Sequence, residues 1–273
     1  MEMLEKLRSG SNLSFEEATA LFNAILDGTA QEKEIEESLV LLAHKGETEE
    51  EIAAAAKTLL EHAVSLDHGF ASLLDVVGTG GDESHSFNIS TAASIVCSLF
   101  VPVAKHGNRA VSSRSGSADF LEALGIPIDL DGEAASRHLA EKNFVFLFAQ
   151  KYHPAMRTVA PVRKRLARRT IFNLLGPLLN PASPSAQLIG VFSTDILEKY
   201  VKAVQTLGIP NAMVVSSRDG LDEVSISDVT YCVHKTNGSV KVFEFDPKAF
   251  GIHAGREAIK GYEPTDNARI MKE

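Results

Sequence analysis

The chain has 273 residues, of which 44% are apolar and 23% are charged, as in a globular protein with a sizeable core. Its formal charge of −9 argues against nonspecific binding to nucleic acid. No apolar run reaches the roughly 18 residues of a membrane span, and Met1–Leu13 has no apolar signal core, so we expect a cytoplasmic protein. Cys97 and Cys232 are expected to be buried free thiols rather than a disulfide or a metal site.

Residues 1–66 have the pattern of a small all-helical domain. Apolar residues at helical spacing follow three candidate capping boxes, which are Ser14 with Glu17, Thr29 with Glu32, and Thr48 with Glu51. We predict that a helix begins at each pair. Part of 155–183 is a candidate addition to this domain.

Residues 72–273 alternate short apolar runs with amphipathic segments, which predicts a large α/β domain with a mostly parallel central sheet. The predicted strands are 73–77, 101–104, 144–148, 188–192, 212–215 and 229–234. The predicted helices are 90–100, 118–124, 133–141 and 196–207. Because ligands in such sheets bind at the carboxyl ends of the strands, the loops that follow strands are the candidate sites.

The first candidate loop is Gly78-Thr79-Gly80-Gly81-Asp82, between a predicted strand and a predicted helix. Glycines let backbone N–H groups converge on an anion, and a helix N-terminus adds partial positive charge, so the turn suits a phosphorylated substrate. The turn is neither a Walker A loop nor a dinucleotide fingerprint. The hydroxyls of Ser90 and Thr91 suit phosphate or hydrated Mg²⁺. An ordinary connection, with Asn88 or Ser90 as helix cap, is the alternative.

The second candidate loop, Lys105–Asp119, packs three cations, four serines and two glycines into one strand-to-helix connection. Lys and Arg offset phosphate charge, while hydroxyls and amides donate hydrogen bonds. A basic, serine-rich surface turn is the alternative, although the loop is long for a mere connection. His106 is either a general base or a hydrogen-bonded loop histidine, and we favour the second.

Two further groups complete the candidate chemistry. Asp222-Glu223 follows a strand; such pairs are often solvated, but beside phosphate-binding loops they suit Mg²⁺, which takes oxygen ligands and bridges to phosphates. A basic stretch follows His153 and is expected to be mostly a solvated helix face, with one arginine available to a substrate carboxylate. The apolar segment 170–181 is expected to serve packing or an interface.

Together these residues resemble the anthranilate phosphoribosyltransferase family over nearly the whole chain. The motifs that carry the resemblance are 78–82, 88–91, 105–117, 153–156, 160–163, 173–181 and 222–223. The resemblance implies transfer of a phosphoribosyl group from phosphoribosyl pyrophosphate (PRPP) to the amine of anthranilate in tryptophan biosynthesis, with Mg²⁺ and with release of pyrophosphate. It also implies a fold similar to the pyrimidine nucleoside phosphorylases and a homodimer formed through the helical domain.

The resemblance assigns site residues by matching motif. The residues implied to bind PRPP are Gly78, Gly81, Asp82, Ser86, Asn88, Ile89, Ser90, Thr91, Lys105, His106, Gly107, Asn108, Arg109, Ala110, Val111, Ser112, Ser113 and Ser117. Those implied to contact anthranilate are Gly78, Asn108, His153 and Arg163, with Arg163 on the carboxylate. Those implied to hold Mg²⁺ are Ser90, Asp222 and Glu223. Lys105, Ser90 and Glu223 are implied to stabilise the transition state, with no side chain as general acid or base.

The chain departs from the family pattern at two places. Glu83-Ser84-His85 stands where family members have a small or polar stretch, which adds a charge at the rim of the first loop. Family chains usually continue some tens of residues past a segment like 267–270, whereas this chain stops at Glu273. We expect either a truncated form or a compact variant, with apolar surface left uncovered on the α/β domain and lower stability as a result.

Two other functions compete with this interpretation. Nucleoside phosphorolysis on the same fold needs a different arrangement of lysine and arginine, whereas Arg163 with Asn108 favours an acceptor that carries a carboxylate. A non-catalytic relative that binds nucleic acid predicts a basic surface and a lost metal pair. The charge of −9 and the presence of Asp222-Glu223 both oppose that alternative.

Overall fold

The computed structural model describes residues 2–82, 84–110 and 114–273. The helices of this part are α1 (Glu2–Arg8), α2 (Phe15–Leu26), α3 (Glu32–Lys45), α4 (Glu49–Glu61), α5 (Ile89–Cys97), α6 (Ser117–Leu124), α7 (Gly132–Lys142), α8 (Ala149–Tyr152), α9 (Ala160–Leu166), α10 (Phe172–Leu175), α11 (Leu197–Thr206) and α12 (Pro264–Lys272). The strands are β1 (Leu74–Gly78), β2 (Val103–Gly107), β3 (Phe144–Phe148), β4 (Ala186–Gly190), β5 (Asn211–Ser217), β6 (Thr230–Thr236) and β7 (Ser239–Phe245). None of the described helices is long and apolar enough to cross a membrane.

Two N-terminal helices begin at the capping boxes that the sequence predicts. Before α2, the N–H of Ser14 donates to Glu17 at 2.9 Å, and before α4 the N–H of Thr48 donates to Glu51 at 2.9 Å. Glu51 is fully buried, yet Lys45 lies 2.6 Å from its carboxylate, so the charge is paired. A reciprocal cap satisfies backbone donors that have no partner inside the helix, which fixes where each helix starts.

The third predicted cap is wrong by two residues. Helix α3 begins after Gln31, whose N–H donates to the carboxylate of Glu34 at 2.9 Å. The hydroxyl of Thr29 instead donates back to the carbonyl of Ala24 at 3.1 Å, so Thr29 closes α2 rather than opening α3. Short polar side chains hydrogen-bond the backbone at either end of a helix, and the spacing to Glu32 alone does not distinguish the two ends.

The segment that carries α9 and α10 packs on the helical bundle. Val162 and Phe172 belong to the same buried cluster as the apolar faces of α2 and α4, and the ring of Phe172 meets that of Phe22 edge-on, with centroids 6.0 Å apart. On the surface, Arg165 forms ion pairs with Glu32 at 3.1 Å and with Glu36 at 2.8 Å. The segment therefore reaches both the helical bundle and the sheet.

The strands form one sheet in the order β3-β2-β1-β4-β5-β6-β7. The first five are parallel, while β6 and β7 are antiparallel additions at one edge, so the predicted mostly parallel sheet is confirmed. The chain runs outward from β1 to β3 and then returns to the other side of β1 at β4. The strand order thus reverses between β1 and β4, and that reversal opens a crevice at the carboxyl ends of these strands.

Two features of the sheet differ from the predicted elements. Strand β7 was not predicted, although Asn237-Gly238 between β6 and β7 is a typical two-residue hairpin turn. Strand β2 extends to Gly107, so Lys105 and His106 lie in a strand and not in the loop after it. Both side chains are almost fully buried, which a polar and basic sequence does not suggest.

Candidate active site

The floor of the site is the end of the β1–β4 pair. Gly78 and Gly190 are register partners there, and the loop after β5 packs on both. A Cβ at Gly78 would overlap the carboxylate of Asp222, and a Cβ at Gly190 would overlap the Asp222 carbonyl. The two glycines are therefore required for space, and they bring the acidic loop directly onto the glycine-rich turn.

The glycine-rich turn presents unused hydrogen-bonding groups. Gly80 and Gly81 have φ of +65° and +77°, a left-handed conformation that glycine adopts without strain. The N–H of Gly80 donates to Asp222 Oδ2 at 2.7 Å. The N–H groups of Gly81 and Asp82 donate to no described residue, and Thr79 Oγ1 and Asp82 Oδ2 are buried without a partner in the described part of the chain. Buried polar atoms of this kind are normally satisfied, so the turn has the character of a ligand site.

Residues from the two candidate loops and from the Asp222-Glu223 pair meet at Ser90. Its hydroxyl lies 3.4 Å from the ammonium of Lys105, and its N–H donates to Glu223 Oε1 at 3.2 Å. Lys105 is 2% exposed, and its ammonium also donates to the carbonyl of Val76 at 2.6 Å. The first turn of α5, the end of β2 and the loop after β5 therefore converge into one cluster.

This cluster holds more acid than base. Asp75, Asp222 and Glu223 all act electrostatically on the single buried ammonium of Lys105. Burial raises the pKa of Asp75 to about 6 and raises that of Asp222, and burial followed by repulsion from Asp222 raises the pKa of Glu223. Burial lowers the pKa of Lys105. Such carboxylates are stabilised as anions by a bound cation.

A complete metal cage is absent from the described residues, since no three His, Cys, Asp or Glu side chains are grouped to hold an ion. The donor set of Asp222, Glu223 and the Ser90 hydroxyl nevertheless fits Mg²⁺, which commonly takes one or two carboxylates and fills its other positions with water and substrate phosphate. The raised pKa values of the two carboxyl groups agree with a site that is completed by a cation.

A buried pair that the sequence analysis missed supports the floor of the site. The carboxylate of Asp75 accepts from Asn180 Nδ2 at 2.9 Å and from the N–H of His106 at 3.4 Å. The same Asn180 amide also donates to the carbonyl of Ala104 at 2.8 Å. Asn180 thus holds β1 and β2 together beneath Lys105. The available signal was one of the two asparagines, Asn173 and Asn180, in the largely apolar segment 170–181, which we expected to serve packing or an interface.

Two histidines face each other beside this pair. The rings of His106 and His153 are T-shaped, with centroids 5.1 Å apart. His106 Nδ1 hydrogen-bonds the carbonyl of Gly176 at 3.2 Å, and His153 Nε2 hydrogen-bonds that of Leu179 at 2.8 Å. Because carbonyls only accept, these nitrogens carry the protons. The other ring nitrogens, His106 Nε2 and His153 Nδ1, have no partner among the described residues.

Both histidines are neutral in the folded protein, and this gives a pH prediction. Burial, with a further contribution from His153, lowers the pKa of His106 to about 3. The unfolded chain binds a proton at His106 from about pH 6.5 downward, whereas the folded chain does not, so stability is lost as the pH falls. Relative to His106→Asn, the wild type should lose about 2 kcal/mol of unfolding free energy between about pH 7 and about pH 5. Urea unfolding at the two pH values measures the difference, and parallel pH profiles would contradict it.

The loop after β2 is closed by Asp119. Its carboxylate accepts from the N–H groups of Ala110 and Gly116, each at 3.0 Å, and from Arg109 at 2.9 Å. A Cβ at Gly116 would overlap the backbone of Ala110, so the two ends of the loop touch. Arg109 also pairs with Glu122, which leaves its guanidinium directed at helix α6. The predicted PRPP-binding residues that lie outside the described residues are Val111, Ser112 and Ser113.

Asn88 connects the first two candidate loops. Its amide donates to the carbonyl of Ser115 at 3.0 Å, and its side-chain oxygen accepts from the Ser115 hydroxyl and from Asn267, each at 2.9 Å. Asn88 does not cap α5 with its side chain. The capping alternative is therefore wrong for Asn88, whose side chain instead links the start of α5 to the second loop and to α12.

The structure also describes the other residues that are predicted to bind PRPP. The Ser117 hydroxyl donates to the carbonyl of Asn108 at 3.0 Å, and a Cβ at Gly107 would overlap that hydroxyl. Ser86 forms an isolated β-bridge with Lys260. Ile89 and Thr91 lie in the first turn of α5.

Arg163 is a cation without a protein partner in the described part of the chain. It lies on α9, is half-buried, and its guanidinium stands over the ring of Phe172 at 5.3 Å. It makes no ion pair and no side-chain hydrogen bond with a described residue, whereas its neighbour Arg165 has two acidic partners. A desolvated guanidinium with free donors is well suited to a planar carboxylate.

Comparisons with known proteins identify the family of this chain. Residues 1–63 match the model of the glycosyl transferase family helical bundle domain, and residues 71–273 match that of the glycosyl transferase family a/b domain. The chain is 44% identical over 273 residues to an anthranilate phosphoribosyltransferase of Lacticaseibacillus casei, with 99% of this chain and 80% of that protein covered.

Solved structures give the same result. The anthranilate phosphoribosyltransferase of Thermus thermophilus superposes with a TM-score of 0.92 at 41% identity, over 99% of this chain and 81% of that one. The Saccharomyces cerevisiae enzyme, solved in complex with PRPP and Mg, superposes with a TM-score of 0.91 at 32% identity, over 100% of this chain and 79% of that one. The chain therefore belongs to the anthranilate phosphoribosyltransferase family.

Proposed function

We propose that this protein transfers the phosphoribosyl group of PRPP to the amine of anthranilate and releases pyrophosphate, a step of tryptophan biosynthesis. The observation that carries the proposal is the convergence of the first turn of α5, the end of β2 and the loop after β5 at Ser90, whose hydroxyl lies 3.4 Å from the Lys105 ammonium and whose N–H donates to Glu223. Its relatives from Lacticaseibacillus casei and Thermus thermophilus bear the name of this activity.

The donor half of the site suits a diphosphorylated sugar. Displacement at the anomeric carbon of ribose passes through an oxocarbenium-like state in which the leaving pyrophosphate carries most of the charge. The free N–H groups of Gly81 and Asp82 and the ammonium of Lys105 are the groups that bind and stabilise this anion. The proposal also includes the residues that the family motifs assign to PRPP. These are Gly78, Gly81, Asp82, Ser86, 88–91, 105–113 and Ser117.

Mg²⁺ would be held by Ser90, Asp222 and Glu223, where it would neutralise charge on the pyrophosphate. The excess of buried carboxylates over ammonium groups supports this assignment. So does the yeast relative, which was solved with PRPP and Mg. The Ser90 N–H orients the Glu223 carboxylate, the charge of Lys105 favours its ionised form, and Gly78 leaves the space that Asp222 occupies.

The acceptor half of the site suits an aromatic amine that carries a carboxylate. Arg163 would bind the carboxylate, while Asn108, His153 and Gly78 would contact the rest of anthranilate. A neutral aromatic amine is already a nucleophile, so positioning it in line with the leaving group suffices and no strong general base is needed. The neutral state of His106 and His153 agrees with that mechanism, because neither ring would add charge beside the aromatic ring of the acceptor.

The domain division and the assembly belong to the same proposal. We divide the chain into a helical domain, 1–66, joined by part of 155–183, and an α/β domain, 72–273. The packing of Val162 and Phe172 with the helical bundle supports the addition. A homodimer through the helical domain follows from the family resemblance, and we propose it together with the cytoplasmic location expected from the sequence.

The direct test is an assay of anthranilate consumption, in which the fall in anthranilate fluorescence is monitored. With PRPP and Mg²⁺ the purified protein should deplete anthranilate and release pyrophosphate in equal amounts, and chelation of Mg²⁺ should stop both. If the protein did not deplete anthranilate but did phosphorolyse a pyrimidine nucleoside, its activity would be the competing one on this fold. A sample without PRPP controls for quenching and for simple binding of anthranilate.

A further inference from the structure

The glycine-rich turn is anchored on both of its sides, and only one anchor belongs to the acidic loop. On one side the N–H of Gly80 donates to Asp222 Oδ2 at 2.7 Å. On the other side the carbonyl of Gly81 accepts a hydrogen bond from the guanidinium of Arg169, in the connection between α9 and α10. The N–H groups of Gly81 and Asp82, which lie next to these anchors, donate to no described residue.

Arg169 is itself held in a defined place. Its guanidinium lies over the ring of Phe192, just after β4, with 4.4 Å to the ring centroid. It forms no ion pair with a described carboxylate, so its charge is not compensated locally by that part of the protein. A Cβ added to Gly81 would stand 3.7 Å from Arg169 Nε, which places the planar group directly against the turn. The ring of Phe192 therefore positions the Arg169 guanidinium, and that guanidinium fixes the glycine-rich turn through its hydrogen bond to the Gly81 carbonyl.

The segment that carries Arg169, from α9 to α10, also contributes to the acceptor side of the site. Arg163 lies on α9, and Arg165 ties that helix to Glu32 and Glu36 of the helical bundle. Arg169 follows in the same segment and reaches the donor turn. Among the described contacts of this segment, the Arg169–Gly81 hydrogen bond joins the part that carries the acceptor arginine to the turn that would bind pyrophosphate.

We propose that Arg169 is a positioning residue for the phosphate-binding turn. By fixing the Gly81 carbonyl it sets the peptide plane that also carries the Asp82 N–H. Together with the anchor at the Gly80 N–H it confines the plane between them, which carries the Gly81 N–H, and both free N–H groups are thereby aimed at the pyrophosphate of PRPP. Phe192 supports this role by orienting the guanidinium. The inference rests on the proposed function, because it assigns the turn to the donor substrate.

The test compares Arg169→Ala with Arg168→Ala. Both arginines are exposed, and Arg168→Ala is a matched control that removes the same charge from the adjacent position, which has no described hydrogen bond to the turn. PRPP affinity is measured by calorimetry with Mg²⁺, and kcat and KM are measured for each substrate. A hydrogen bond that involves a charged group is worth about 10- to 100-fold, so Arg169→Ala should weaken PRPP binding by at least about tenfold. Arg168→Ala should stay within about twofold of the wild type.

Other readouts separate positioning from a general loss of structure. In Arg169→Ala the KM for anthranilate at saturating PRPP and the melting temperature should stay near the wild-type values. Phe192→Leu should weaken PRPP binding in the same direction by a smaller factor. The inference is overturned if Arg169→Ala binds PRPP as Arg168→Ala does, or if both substrates and the melting temperature suffer together. A wild-type protein that binds no PRPP would instead overturn the proposed function.

Discussion

Arg163→Ala is expected to raise the KM for anthranilate by at least about 30-fold while PRPP binding stays unchanged, because truncating one partner of a buried charged pair costs about 2–5 kcal/mol. The guanidinium is half-buried over Phe172 and has no acidic partner in the described part of the chain, so a substrate carboxylate is the group it is placed to meet. Steady-state kinetics for both substrates, with calorimetry for PRPP, measure the separation.

Two matched variants make this result specific. Lys164→Ala removes a neighbouring exposed cation and should leave both KM values near those of the wild type. Arg163→Lys keeps the charge but loses the planar fork, so it should fall between the wild type and Arg163→Ala. Unchanged anthranilate affinity in Arg163→Ala would remove this residue from the acceptor site.

The second large effect is expected at the acidic loop. Glu223→Gln keeps an oxygen that can accept from the Ser90 N–H but removes the charge that would face Mg²⁺. We expect kcat/KM for PRPP to fall by about 100-fold or more, because substituting a residue that binds a catalytic metal, or one that orients its ligands, commonly lowers activity on this scale. The apparent Mg²⁺ affinity, titrated with PRPP present, should weaken in parallel.

The same substitution should not weaken the fold. Burial and the neighbouring Asp222 raise the pKa of Glu223, so its ionised form costs stability when no cation is bound. Without Mg²⁺ and at about pH 8, Glu223→Gln should therefore melt at the wild-type temperature or a few degrees above it. Glu141→Gln, on the exposed face of α7, controls for the change in net charge. Wild-type turnover in Glu223→Gln, or a large loss of melting temperature, would contradict the account.

Local patterns predicted much of the fold. Capping boxes at Ser14 and Thr48 mark helix starts because their hydrogen bonds are made within four residues. Apolar runs that alternate with amphipathic segments predicted a mostly parallel sheet, because strands buried on both faces need continuous apolar sequence. Strand β7 was missed although Val240, Val242, Phe243 and Phe245 follow the Asn237-Gly238 turn, which is a readable hairpin pattern. What that pattern does not indicate is that most of these apolar side chains are exposed, because β7 lies at the edge of the sheet.

The candidate site was predictable in its residue types and not in its contacts. The glycines and the Asp222-Glu223 pair are recognisable because phosphate and Mg²⁺ need backbone N–H groups and carboxylates. The burial of Lys105 and the Asp75–Asn180 pair depend on strand neighbours that are distant in sequence, so no local pattern contains them. Arg169 was one arginine in a basic stretch, and only the fold distinguishes it from its neighbours.

We expect one pocket, built from the turn after β1, the end of β2 and the loop after β5, to bind magnesium-bound PRPP. A crystal structure of the protein soaked with PRPP and Mg²⁺ tests it most directly. We expect the pyrophosphate against the N–H groups of Gly81 and Asp82 and near Lys105, with the metal beside Ser90 and Glu223. Density for PRPP at another surface, with this pocket empty under saturating ligand, would contradict the account.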